Sequence, residues 1–450
     1  MALDVERDGA AYVSRYGAYV VGIVMFGFML SFLDRQILTL LLQPIKNEFG
    51  VSDTTLGLLT GFAFATFYAI LGVPISRLAD RTSRPLILAI SIGVWSLATL
   101  ASGLSTTFTQ LVIARIFLAL GEAGFTPVAT SLIADYVPPR RRATAIGLAN
   151  AGFSLGVMAG FLIGAFGLQW QGWRGVFLIA GFPGLVIALL FGMTVREPRR
   201  ASPSAAIVDD RKQETLVAAL ALLWRRRSYR YIVAGNCLSA IAVFGLSSWV
   251  PTFLVRSFPE EAHSVGYILA PAFGIAGTVG VILGGVISDR LSVVKAGRGL
   301  WLCAGVCIPI IPLLWASISA STLMSAAVLY SLAYCIGTLY AGPTMATICR
   351  VIPARSRAFA LGISLYMLNL VGLGLGPLFV GVVSDWLGGG RNGLQLGMLL
   401  EALVYLPAAA CYIVASRSVD ADVSDVGRAA SGSVDPHLDV SSDAASVPQR

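Results

Sequence analysis

Apolar runs about twenty residues long follow one another along almost the entire chain, and that is the length an α-helix needs to cross the hydrocarbon core of a bilayer. Bounded by charges or by Gly and Pro clusters, they read as spans at 17–42, 55–78, 85–104, 108–131, 142–167 and 173–193. A second six lie at 229–256, 264–287, 299–317, 321–347, 357–384 and 393–416. The chain is 450 residues long, enough for twelve spans joined by short loops. With 56% hydrophobic and 12% charged residues, against about 25% charged in soluble domains, a water-soluble fold is excluded. The expected fold class is an all-α polytopic membrane protein.

The arginines give the orientation. Of 32 Lys and Arg, 26 fall on the side that carries the N-terminus, four (Lys46, Arg174, Arg256, Arg391) on the other, and two, Arg35 and Arg115, inside spans. Basic residues accumulate on the cytoplasmic side of membrane proteins, so both termini are expected there, in an inner membrane of bacterial type. Topology therefore accounts for the formal charge of +8, and no nucleic-acid partner is expected. Residues 1–16 lack the basic start and cleavage site of a signal peptide. Six cysteines sit in or at the ends of apolar runs without a CxxC, and read as packing residues; no metal is expected. His263 lies in an outer loop and His437 in the tail, so neither is placed to relay protons inside the membrane.

An internal repeat divides the spans into two sets of six. Pro138-Pro139-Arg140-Arg141-Arg142-Ala143-Thr144-Ala145-Ile146-Gly147 leads into span five. Pro353-Ala354-Arg355-Ser356-Arg357-Ala358-Phe359-Ala360-Leu361-Gly362 leads into span eleven, with six identities at an offset of 215. Asp80-Arg81 after span two recurs as Asp289-Arg290 after span eight, at an offset of 209. The expected division is a segment 1–16, a bundle 17–195, a loop 196–228, a second bundle 229–416 and a disordered tail 417–450. An apolar patch in the loop, Leu216 to Trp224, is expected to lie on the membrane surface as a short amphipathic helix.

These residues resemble the major facilitator superfamily, whose loop between spans two and three carries G-x-x-x-D-R-x-G-R-R. Here it reads Ser76-Arg77-Leu78-Ala79-Asp80-Arg81-Thr82-Ser83-Arg84-Pro85, with serine at both glycines and proline in place of the last basic residue. The resemblance covers about residues 15–417 and implies twelve helices as two six-helix bundles around a central cavity. Phe32-Leu33-Asp34-Arg35-Gln36-Ile37, Ala114-Arg115 and Gly121-Glu122-Ala123 further resemble the spinster-like branch. That branch is associated with export of sphingolipids and lysophospholipids, with proton coupling proposed for some members. Gly147, Gly156, Gly160 and Gly164 are similar to the antiporter glycine motif, but Phe161 stands where that motif has proline, so the motif does not argue for antiport here.

An ionisable group at membrane depth costs at least about 2.5 kcal/mol on insertion scales and is functional by default. Five stand out: Asp34, Arg35, Arg115, Glu122 and Glu401. At about 1.5 Å per residue, Asp34, Arg35 and Arg115 share one level on the outer side of the midplane and Glu122 lies near the midplane. Arg115 and Glu122, seven apart, project from one face of span four. The expected network sets Asp34 near Arg115 and Arg35 towards Glu122, with Asp34 the first choice of proton carrier and Glu122 the second. The alternative is a static ion network that only ties spans one and four together. Glu401 is expected to face outer-side water or backbone, without a transport role.

On the cytoplasmic side a latch is expected, with Asp80 against the start of span eleven near Arg357, Arg81 or Arg84 with Asp135, and Asp289, followed by Arg290, against Arg142. The polar cavity candidates are Tyr68, Thr126, Asn150, Ser154, Asn236, Ser247, Tyr334, Thr338 and Asn369. No P-loop occurs, so the proton gradient, rather than ATP or a cofactor, is the expected driving force. The reading is a monomeric secondary active transporter of an amphipathic solute, lipid-like or drug-like. A second reading is uptake of a small organic anion bound by Arg35 and Arg115. A membrane enzyme is disfavoured by the absence of a metal-ligand cluster or a nucleophile with a base.

Overall fold

The computed structural model describes residues 2–198, 216–292, 297–353 and 356–431. Among them every regular element is helical, as the lack of water for backbone groups in hydrocarbon requires of a chain without a closed barrel. Eleven stretches are long and apolar enough to cross a membrane. They are Arg15–Phe49, Asp53–Ala79, Arg84–Gly103, Phe108–Tyr136, Thr144–Thr194, Arg227–Ser257, Pro259–Leu291, Arg298–Ile318, Leu323–Val351, Phe359–Trp386 and Gly390–Asp425. The fifth is interrupted at Gly172, whose φ of 65° and ψ of −176° are not helical. A left-handed φ is tolerated by glycine, which has no Cβ. That stretch therefore makes two crossings, spans 5 and 6, and the following stretches are spans 7 to 12.

The repeat extends to the helix caps. Thr107 opens span 4 by accepting a hydrogen bond from Gln110 N, and Thr322, 215 residues later, opens span 10 by accepting from Ser325 N. Each is a side-chain cap on a first-turn amide that would otherwise be left without a partner. Arg142 donates to Val137 O and Arg357 to Ile352 O, both at 3.2 Å and again 215 apart. Spans 2 and 8 each contain a π-helical turn, Leu58–Phe62 and Ala272–Ala276, and span 11 contains a third, Leu368–Leu373.

Spans 1 and 5 pack closely because glycines face span 1. A Cβ on Gly152 or Gly156 would stand 2.2 Å from Met25 O or 2.1 Å from Met29 O, and one on Gly160 2.9 Å from Leu33 O. Three members of the glycine series thus have contact partners: Gly156 and Gly160 against span 1 backbone, and Gly164 against Leu40. Gly156→Val is expected to lower stability by about 3 kcal/mol, since backbone must move to admit the side chain. Thermal unfolding in detergent checks this; an unchanged midpoint would contradict the close packing.

The tail differs from expectation. The last helix, Tyr405–Ser431, continues past Arg417, because Asp422, 8% exposed, is held at the start of span 7. Its Oδ2 accepts from Ser228 N at 2.9 Å and from the Ser228 hydroxyl, while Arg226 bonds Asp425. Residues 432–450, and 199–215 of the inter-bundle loop, lie outside the described residues. Within that loop Leu216–Arg225 is a helix, with Leu223 buried and Trp224 exposed.

Candidate functional site

Span 4 is broken at mid-length: one helix ends at Glu122 and the next begins at Phe125. The break is tightly packed, since a Cβ on Gly121 would stand 2.8 Å from Trp95 N, and one on Gly124 2.1 Å from Ile75 Cγ2. Glu122, at this break, is bonded to span 1 through Arg35. Its Oε2 accepts from Arg35 Nε at 2.8 Å and Nη2 at 2.5 Å. The guanidinium also lies near the rings of Phe32, Phe64 and Tyr68, at 5.1, 4.5 and 5.3 Å, an arrangement suited to a cation. Glu122 Oε1 has no partner.

The second pair departs from the expected geometry. Arg115 does not bond the Asp34 carboxylate; its Nη1 donates to the Asp34 carbonyl at 3.4 Å, and its Nε and Nη2 are unpartnered. Asp34 instead accepts from Thr99 Oγ1 at 2.9 Å through Oδ2, leaving Oδ1 without a partner. Thr99 comes from span 3 and intercepts the carboxylate, while Phe177 of span 6 lies 4.5 Å beneath the Arg115 guanidinium. Neither residue is marked in the sequence, because both act through contacts between spans. Asp34 and Arg115 are 2% and 4% exposed, so one charge-balanced pair and one loosely engaged pair share the N-terminal bundle.

Arg35 and Arg115 line a cavity of about 160 Å³ between the halves. Of the nine polar candidates, Ser247, Tyr334 and Asn369 line it. Tyr68 stays next to it through Arg35. The others are placed elsewhere. Ser154 accepts from Thr278 at 2.6 Å across the halves, Thr338 bonds Gly277 O and Cys335 O, and Asn236 accepts from Tyr412 inside the C-terminal bundle. Thr126 is half-buried and Asn150 is exposed. Gln36, Thr39, Thr60 and Ser248, which carry no mark in the sequence, add to the polar lining. Thr60 and Asn369 sit in the π turns of spans 2 and 11, which widen the helix locally and occur often at functional sites. Sequence periodicity does not register such turns.

The expected latch is only partly assembled. Arg84 bonds Asp135 at 2.6 Å and, in addition, Glu197 at 2.7 Å. Arg142 and Arg357 turn to carbonyls of their own loops. Asp289, Arg290 and Arg81 are exposed and have no ion pair among the described residues. The side chain of Asp80 lies outside the described residues. An added Cβ at Gly147, Gly285 or Gly362 would meet nothing within 4 Å. The halves join on the opposite, arginine-poor face. There Asp53, with no exposed side-chain surface, receives Lys46 Nζ at 2.6 Å, Arg256 Nη2 at 2.7 Å and Ser384 Oγ at 2.7 Å. Asp385 caps span 2 by accepting from Asp53 N and Thr54 N at 3.1 and 2.7 Å. The physical reason for the difference is that the cross-half polar contacts gather on the arginine-poor face, which is closed here, so the cross-half latch partners on the other face do not meet.

Glu401 is also placed differently from expectation. It is 0% exposed, neither carboxyl oxygen has a partner, and it fits against Gly245 of span 7, where a Cβ would stand 1.9 Å from Oε1. The C-terminal bundle thus has an acidic side chain in its core.

The family model of the Major Facilitator Superfamily matches residues 24–377. An "MFS-type efflux pump" of Mycolicibacterium smegmatis is 30% identical over 411 residues, 91% of this chain and 94% of that protein. The zebrafish (Danio rerio) sphingosine-1-phosphate transporter SPNS2 is 26% identical over 62% of this chain and 57% of its own length. A crystal structure of a bacterial homologue of the human lysosomal transporter Spinster, inward-facing and unoccupied, superposes with a TM-score of 0.81. It is 29% identical, with 90% of this chain and 98% of that one covered. With the helical fold, the repeat and these matches, the chain belongs to the Major Facilitator Superfamily and is a membrane transporter similar to the spinster proteins, not an enzyme.

Proposed function

We propose that the protein is a proton-coupled secondary transporter of an amphipathic organic solute, worked by the bundles 17–195 and 229–416 rocking about the central cavity. The observation that carries this reading is the unequal engagement of two acid and arginine pairs whose arginines line that cavity. Glu122 is bound by Arg35, whereas Asp34 and Arg115 each keep unpartnered polar atoms and meet only through an Arg115 Nη1 bond to the Asp34 carbonyl. A carboxylate whose counter-charge changes between conformations changes its proton affinity, and two access states with different proton affinities couple proton movement to transport. Asp34 is the first carrier and Glu122 the second.

The cavity has its cations on the N-terminal side and Phe244, Ser247, Ser248 and Tyr334 on the other. This suits a polar or anionic head set against Arg35 and Arg115, with the apolar part on the C-terminal wall. The name of SPNS2, a sphingosine-1-phosphate transporter, favours such a solute. A second reading, uptake of a small organic anion, draws on the same free Arg115 nitrogens and on a relative from Escherichia coli named a probable L-galactonate transporter, 26% identical over 88% of each chain. In both readings the protein works as a monomer in a bacterial inner membrane, and the 26-to-4 distribution of Lys and Arg favours cytoplasmic termini.

Transport into proteoliposomes with and without a pH gradient tests the coupling. Asp34→Asn is expected to abolish gradient-driven transport and to leave the thermal midpoint within a few degrees of wild type; full pH-driven uptake by that variant overturns the reading. A thermal-shift screen across lysolipids and organic acids separates the two substrate classes.

A further inference from the structure

Two helix starts in corresponding places of the two halves are treated in opposite ways. Arg84 is the first residue of the span 3 helix and Arg298 the first residue of the span 9 helix. In the N-terminal half Arg84 is fully neutralised. Asp135 and Glu197 both reach its guanidinium, Glu197 Oε2 also accepts from the Arg84 backbone N–H at 2.8 Å, and Ser131 Oγ accepts from Nη1 at 2.9 Å. In the C-terminal half the position of Asp135, moved by 215, is Arg350. The acid is replaced by a base.

No carboxylate takes its place. Arg298, Arg350 and Arg417 are exposed and none has an ion pair with another described residue. Arg298 and Arg417 instead converge on a recess of about 190 Å³ with Trp301, Ser416 and Asp420. The two helix ends that flank it are in close backbone contact, since a Cβ on Gly297 would stand 2.7 Å from Ser416 O. Asp420 is exposed and unbonded among the described residues, so one acid faces two cations across the recess. Trp301 is 52% exposed, at the level where tryptophan marks the border of headgroups and hydrocarbon.

We infer that this recess between spans 9 and 12 binds the phosphate headgroup of an anionic phospholipid from the leaflet bounding the arginine-rich face, the lipid supplying the counter-charge that Asp135 and Glu197 supply to Arg84. The guanidinium fork matches phosphate oxygens, basic recesses between membrane helices are suited to anionic headgroups, and Trp301 covers the upper acyl chain. The site is separate from the transport cavity and does not depend on the substrate assigned there.

The test uses the full chain purified in detergent, with phosphatidylglycerol, phosphatidylcholine of the same acyl chains, or inorganic phosphate added. Native mass spectrometry and thermal unfolding are the readouts. Phosphatidylglycerol is expected to be retained and to raise the midpoint by several degrees over phosphatidylcholine. In Arg298→Ala/Arg417→Ala the affinity for phosphatidylglycerol falls roughly tenfold or more and the shift disappears. The control Arg140→Ala/Arg141→Ala, which removes two exposed cations from the same face, keeps both. Equal losses in the two double variants would reduce the effect to bulk charge and overturn the site. A wild-type shift reproduced in full by millimolar inorganic phosphate would overturn the lipid assignment. If the double variant does not fold, Arg417→Gln alone reads the same difference.

Discussion

Arg35→Ala is expected to lower stability by about 3–5 kcal/mol, the range for removing one partner of a buried ion pair, and to abolish transport. Glu122 is 1% exposed at its side chain and takes both of its ion-pair hydrogen bonds from Arg35, so the variant leaves a carboxylate inside the N-terminal bundle with no compensating charge at contact distance. Arg115 does not replace it, because its guanidinium is held over Phe177 and against the Asp34 carbonyl. The rings of Phe32, Phe64 and Tyr68 lose the cation they surround at the same time. The double variant Arg35→Leu/Glu122→Leu is expected to recover most of the lost stability, since replacing both charges by apolar groups of similar volume is often neutral, while transport stays absent. Chemical unfolding of the two variants in detergent checks this. A double variant as unstable as the single one would show that the destabilisation comes from lost packing around Arg35 and not from the stranded charge.

The twelve-span fold was legible because the bilayer imposes a length and a composition on every crossing, and because the repeat survives as the Pro138 and Pro353 segments. The same constraint made Arg35 and Glu122 visible: a charge in an apolar run has few reasons to be there. What could not be read were the contacts decided by packing between spans. Thr99 reaches Asp34 from span 3, and Phe177 reaches Arg115 from span 6, yet both are ordinary residues in their own helices. Glu401 is expected at outer-side water or backbone, whereas its environment depends on Gly245 leaving room in another span. Polarity alone does not place a residue in the cavity, for a related reason. Asn236 and Thr338 satisfy their hydrogen bonds inside the C-terminal bundle, while the π turns at Thr60 and Asn369 deliver residues to the cavity by a shift in helical register that has no sequence signature.

Arg256→Ala is expected to open the arginine-poor face. Arg256 extends from span 7 to the Asp53 carboxylate of the other half through Nη1 and Nη2, at 2.9 and 2.7 Å. It also donates to Gln43 at 2.6 Å and to Gly390 O at 2.9 Å. Four elements of the closed face therefore share one guanidinium. Lys46 and Ser384 remain on Asp53 in the variant, so the loss is smaller than for an isolated buried pair. A cost of about 2 kcal/mol to the closed arrangement corresponds to about a thirtyfold shift of the equilibrium towards the state open on this face. Spin labels at Asn47→Cys and Glu260→Cys, in a background lacking the native cysteines, span the two halves here and are expected to show a second, longer distance in the variant. Arg174→Ala is the matched control. It breaks an ion pair with Glu48 on the same face, at 2.7 Å, but both partners belong to the N-terminal half, so the label distance should stay as in wild type. Equal behaviour of the two variants would mean that the cross-half bond to Asp53 does not hold this face closed, and that the apolar contact of Gly57 and Gly61 with span 11, where a Cβ would stand 2.5 and 2.7 Å from Pro377 O and Leu373 O, is sufficient on its own.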